Sequence, residues 1–154
     1  MLELSEASLL EPVWSLISKL PENRDVIDGF NTLDFVRRCQ TPELRQQAWV
    51  SLLNPAATFK QLYCIEIINN KFMSAKLPKT SENMDPAEEE IHEEQMRLWE
   101  SQVAWKSDFI TLGGFSHLIN CLTHINLPEI KSMLEIRTIK SLMKAIYSLI
   151  FGHN

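Results

Sequence analysis

Large apolar residues recur along this chain at spacings of three and four, and no stretch alternates convincingly with a period of two. That periodicity is the mark of amphipathic helices packing on one face. The sharpest instance places Trp105, Phe109 and Leu112 ahead of Gly113-Gly114, with Phe115, Leu118, Ile119 and Leu122 beyond. It predicts a helix, an abrupt break and a second helix leaving at a new angle. A last helix, opened by Leu127-Pro128-Glu129, carries the longest stripe: Ile139, Leu142, Met143, Ile146, Tyr147 and Ile150.

The earlier elements follow from the same pattern and from helix-start chemistry. Pro12 suits the first turn of a helix bearing Trp14, Leu16, Ile17 and Leu20, which Pro21 and Asn23 end. A short helix fits Arg24 to Asn31, stopping before Gly29, and Asn31 or Thr32 then caps a helix through about Cys39 with Leu33, Phe35 and Val36 inward. Thr41-Pro42-Glu43 combines a hydroxyl cap, a first-turn proline and an acid at the positive end of the dipole. It predicts a helix to about Leu53 that buries Leu44, Ala48, Trp49 and Leu52. Ala57 to Phe72 is apolar almost all round, which places it in the middle of the molecule. Residues 77–86 read as a flexible loop, and Asp85-Pro86 starts a further helix with Glu88, Glu89 and Glu90 in its first turn and a stripe of Ile91, Leu98, Trp99, Gln102 and Val103. These add up to an all-α fold of six or seven helices in one domain over residues 1–154. The pattern fits either a degenerate helical solenoid or a closed bundle.

Composition narrows the function. At 154 residues with 45% hydrophobic and 23% charged side chains, the chain can bury a real core. Its net charge of −5 and scattered basic residues lack the positive footprint that nucleic acid requires. No apolar run approaches the roughly 20 residues of a membrane span, and the acidic start Met1–Glu6 is unlike a signal peptide. The expected location is the cytoplasm or nucleus.

Few groups offer chemistry. His117, Cys121 and His124 share one helix face and could in principle ligate zinc or form a thiol–imidazole site. All come from one short helix without an evident fourth ligand, so the plainer reading is a core thiol with histidines at its edge. Cys39, Cys64 and Cys121 form no CxxC pair and read as reduced core residues. Four glycines cannot build a phosphate loop. The acid run Glu88–Glu94 reads as a solvated face, and Glu93 with Arg97 as a surface ion pair. Trp14, Trp49, Trp99 and Trp105 are core residues or interface anchors. Lys60, Lys71 and Lys79, with Asn69 and Asn70, read as solvated or as lining a groove. No catalytic residue, metal or cofactor is assigned.

Three segments together resemble the non-catalytic arms of the very large ubiquitin-specific proteases. They are Trp14–Asn23, Phe59–Ile68, and Trp105-x3-Phe109-Ile110-x2-Gly113-Gly114-Phe115-x2-Leu118, with an acidic loop between the last two. The double-glycine pair is also common in armadillo-type repeats. The resemblance spans most of residues 12–150. It implies an armadillo-like α-solenoid of helical hairpins that serves as a protein–protein interaction scaffold, with ubiquitinated substrates among its possible partners. The family's catalytic cysteine and histidine boxes have no counterpart here, so none is carried over. The expected structural determinants are Trp105, Phe109, Gly113, Gly114, Phe115 and Leu118, which would set the angle between successive helices. The alternatives are a self-contained helical adaptor unrelated to ubiquitin, or a zinc or thiol enzyme built on His117, Cys121 and His124.

Overall fold

A computed structural model describes residues 24–54, 56–73, 77–79, 83–130 and 132–152. The helix expected from Pro12, with Trp14 and the first segment of the family resemblance, lies outside these residues. Seven α-helices and no strand occur among the described residues. In chain order they are α1 (Arg24–Thr32), α2 (Asp34–Arg37), α3 (Pro42–Leu52), α4 (Thr58–Met73), α5 (Pro86–Thr111), α6 (Gly114–Thr123) and α7 (Met133–Phe151), with a 3-10 turn at Leu127–Glu129.

The helix starts written into the sequence form as expected. The Thr41 hydroxyl accepts the Leu44 amide at 3.3 Å ahead of Pro42. Asp85 accepts the Glu88 amide at 2.8 Å while the Glu88 carboxylate reaches back to the Asp85 amide at 3.2 Å. This reciprocal box satisfies two of the amides that every helix start leaves open. A second box, Ser132 with Glu135, starts α7. The last helix therefore does not open at Leu127-Pro128-Glu129. Those residues form the separate 3-10 turn, because the stronger pair of side-chain caps lies further along the chain.

The first break also differs from expectation. α1 runs through Gly29 to Thr32, and the chain turns at Leu33, a leucine in the left-handed region (φ 54°, ψ 23°). Left-handed geometry costs a side-chain-bearing residue roughly 1–2 kcal/mol. Leu33 is fully buried in the core. Burial of a leucine is worth about 1.5–3 kcal/mol. Packing therefore outweighs the backbone preference that made Gly29 look like the stop.

α4 is central, as its composition suggests: it touches α1, α3, α5 and, most extensively, α7. It is not buried all round, since Phe59 and Asn70 are exposed. The α4–α7 seam is close because α7 turns the small residues Thr138, Ser141 and Ala145 inward. It is also polar. The Asn69 amide donates to the Ser141 carbonyl at 3.0 Å, and the Ser141 hydroxyl donates to Glu66. Asn69 is buried rather than solvated, and its Oδ1 has no hydrogen-bond partner among the described atoms. Asn70 and Lys71, by contrast, line a shallow groove with Ile27, Leu98 and Trp105.

Two stripes divide where the sequence treats them as single faces. On α7, Leu142, Ile146 and Leu149 point into the core, while Met143, Tyr147 and Ile150 face out. On α5, Ile91 and Leu98 continue the face of Trp105 in steps of seven but are exposed. No residue of α5 before Trp105 is buried, so this helix outruns the elements that cover its apolar face. Leu44 of α3 is exposed as well. The acid run is a solvated face as expected, and Arg97 pairs with Glu93 at 3.2 Å.

Candidate functional site

The strongest cluster is aromatic, and it forms around the double glycine. Phe109, fully buried, stacks on Trp105 with centroids 5.2 Å apart. It meets Trp49 edge-on at 5.2 Å and Phe72 at 5.7 Å. Phe35 and Phe30 extend the chain of rings beyond Trp49. Both core indoles find polar partners, as buried tryptophans must. Trp49 Nε1 donates to the Leu112 carbonyl at 2.9 Å, and Trp105 Nε1 to the Phe30 carbonyl at 2.6 Å. Trp99 is only half-buried.

The two glycines differ in what they supply. Gly113 takes φ +88°, a left-handed value that glycine adopts freely. Gly114 begins α6 and lies flat against the Phe109 ring, where an added Cβ would sit 2.6 Å from two ring carbons. Of the six residues singled out in the sequence, Trp105, Phe109 and Gly114 meet directly. Leu118 is fully buried in the same core and Phe115 packs half-buried against it. Trp49 sits at the centre of the cluster, and sequence spacing did not single it out because Phe109 and Leu112 lie so far along the chain from it.

Beside this core lies a polar pocket. His117 and Cys121 come together one turn apart on α6, with His117 Nε2 3.5 Å from Cys121 Sγ. The His117 ring lies against Trp49 and hydrogen-bonds the Leu53 carbonyl, to which Gln61 Nε2 also donates at 3.4 Å. Burial pushes the His117 imidazole below its ordinary value, against the opposing effect of the Leu53 bond. Burial likewise pushes the Cys121 thiol up, with a hydrogen bond to Gln61 acting the other way. Both directions favour the neutral forms. An activated nucleophile requires the reverse, a lowered thiol beside a charged imidazole. Cys64, fully buried, is pushed up to about 11 by the same desolvation.

His124, the third member of the sequence constellation, does not join the pair. Its Nδ1 lies 2.7 Å from the Asn120 carbonyl, at the exposed end of α6. Among the described residues no group of three histidine, cysteine or acidic side chains is arranged to hold a metal ion. No helix among them is long and apolar enough to cross a membrane.

Cys121 and Gln61 open onto a cavity of about 290 Å³ between α4, the end of α6, the 3-10 turn and α7. Its remaining lining includes Thr138, Leu142, Glu129 and Glu135. A legible trace of this pocket exists in the sequence: Gln61 and Thr138 are polar residues interrupting apolar stripes.

Fold and site thus define, among the described residues, a helical protein with an aromatic core and a small polar cavity beside the buried Cys121–His117 pair. No family model, curated protein or solved structure matches the chain.

Proposed function

We propose that the chain is a non-catalytic protein-recognition segment, an armadillo-like stack of helical hairpins belonging to a large ubiquitin-specific protease of the cytoplasm or nucleus. The observation that carries this reading is the outer face of α7. Met143, Tyr147, Ile150 and Phe151 follow one another along the helix and are each more than half exposed. The Tyr147 and Phe151 rings contact each other in a tilted arrangement, with centroids 4.8 Å apart. A contiguous exposed apolar face marks a surface meant for another protein element. In a helical stack the next hairpin covers such a face. The two apolar segments of the resemblance that the structure describes, Phe59–Ile68 and Trp105–Leu118, supply the link to the protease arms.

The test uses the full polypeptide encoded by the same transcript. It should hydrolyse a fluorogenic ubiquitin substrate in a thiol-dependent way, while residues 1–154 alone should not. Tyr147→Glu with Phe151→Glu should leave the melting curve of residues 1–154 unchanged and lower that of the full polypeptide. A transcript encoding no thiol hydrolase would overturn the ubiquitin reading. An unaltered melting curve for the full polypeptide would overturn the stacking role of α7.

A further inference from the structure

Building on the reading of α7 as a face that another helix covers, we propose that this helix is the first half of α5 in a second copy of the chain, so that copies associate α7 to α5. Both faces are apolar and uncovered, the mark of an interface. On α5, Ile91 and Leu98 are each more than half exposed on one side of the helix. That side leads into the groove of about 650 Å³ where Leu98 and Trp105 meet Ile27 and Ile67. On α7, Met143, Tyr147, Ile150 and Phe151 are the exposed apolar residues. The two surfaces also match in length: α7 and the stretch of α5 ahead of Trp105 each extend about 28 Å.

Charge makes each face the complement of the other. Glu88, Glu90 and Glu94 are exposed along the α5 face. Arg97 at its edge is tied to Glu93, and Lys71 stands at the groove, beyond the acids. Lys140 and Lys144 are exposed along the α7 face, whose Glu135 and Arg137 are already engaged. Among the described residues Glu90, Glu94, Lys140 and Lys144 have no ion-pair partner. The two acids stand one turn apart, as do the two lysines. With the helices parallel, Lys140 against Glu90 and Lys144 against Glu94, the common rise per residue carries Tyr147 to the level of Leu98 and Phe151 to the mouth of the groove. Opposite charges beside an apolar ridge fix partner and register. Within one molecule α4 and α6 lie between α5 and α7 and touch both, so the faces are separate surfaces. Contact between unlike faces leaves one of each free, and growth continues until a ring closes.

Sedimentation velocity on the purified chain, from about 20 µM to about 1 mM, should show a rising weight-average coefficient with a Kd on the order of 100 µM. Salt at about 0.5 M should weaken association severalfold. Lys140→Glu with Lys144→Glu should weaken it about tenfold or more, and so should Glu90→Lys with Glu94→Lys. Each reversal sets like charges across the contact. Mixed together, the two variants present opposite signs at every contact and should associate as the parent does. All four positions are exposed, and circular dichroism checks that each variant is folded. Leu98→Ser, at another exposed position, should also weaken association and gives the readout if a reversal fails to fold. A chain that stays monomeric at about 1 mM, association that survives either reversal, or reversed variants that stay apart when mixed would each overturn self-association. The melting curve of the full polypeptide judges the stacking role of α7 separately. If Tyr147→Glu with Phe151→Glu lowers that curve while the isolated chain stays monomeric, self-association alone is overturned.

Discussion

Gly114→Ala tests the core most directly, because a single methyl group would be driven into the fully buried ring of Phe109. The added Cβ would meet Phe109 Cε2 and Cζ at 2.6 Å and Cδ2 at 2.8 Å. Carbon atoms in contact prefer about 3.5–4.0 Å, so something must move by close to an ångström. Phe109 cannot retreat, since Trp49, Trp105 and Phe72 surround it. Overpacking of this kind costs about 1–3 kcal/mol, and the severity of the overlap argues for the upper end. Replacing glycine by alanine recovers roughly 0.4–1 kcal/mol through the unfolded chain. The net is a destabilisation of about 2 kcal/mol, or roughly 4–8 °C in Tm for a chain of this size. Thermal and urea melts followed by circular dichroism measure it. A double-mutant cycle isolates the cause: with Phe109→Leu, the Gly114→Ala penalty should fall by at least half. Gly113→Ala behaves differently. Its Cβ would find only Trp49 Nε1 at 3.8 Å. A penalty of about 1–2 kcal/mol therefore comes from φ alone and should persist in the Phe109→Leu background. A neutral Gly114→Ala, or a penalty indifferent to Phe109, would refute the reasoning.

Trp49→Phe strands the Leu112 carbonyl, which now accepts the indole N–H. It should cost about 1–3 kcal/mol in urea melts, with the far-ultraviolet spectrum retained. His117 has its folded pKa depressed, so the unfolded chain binds the proton first as pH falls. Its contribution is full above the ordinary value of 6.5 and declines as pH drops below it. Urea midpoints at pH 7.5 and 5 should therefore differ less in His117→Gln than in the parent. Iodoacetamide at pH 8 should modify Cys39 first, Cys121 more slowly and Cys64 last. With its pKa raised from 9.0 to about 11, Cys64 holds about a hundredfold less thiolate. Equal rates in the folded protein would contradict the burial of both thiols. Ser132→Ala removes the hydroxyl that accepts the Glu135 amide. Stability in thermal melts should fall by about 0.5–2 kcal/mol, the value of an N-cap.

Where the sequence reads well, the information is local. Thr41 and Asp85 cap their helices with their own side chains, and Arg97 reaches Glu93 one turn away. Where it reads poorly, a distant residue decides. Gly29 looks like a stop, yet the turn falls at Leu33 because the core takes up that side chain. Asn69 reads as solvated, yet its amide finds Ser141 72 residues on. The candidate site divides the same way. Trp105, Phe109 and Gly114 lie close together in the chain and could be grouped by spacing. Trp49, Phe72 and Phe30 join them only once α1, α3 and α4 are in place.

The sequence by itself determined the helical character of the described residues, most of their helix starts and the break at Gly113-Gly114. These depend on caps, glycine torsions and helical periodicity, all set within a turn or two of backbone. Only the tertiary structure decided which half of each apolar stripe is covered, why Gly114 can carry no side chain, and that Cys121 meets His117 beside a cavity while His124 stands apart. Those outcomes depend on which helices meet, and burial, ring stacking and desolvation act only between residues that the fold has already brought together.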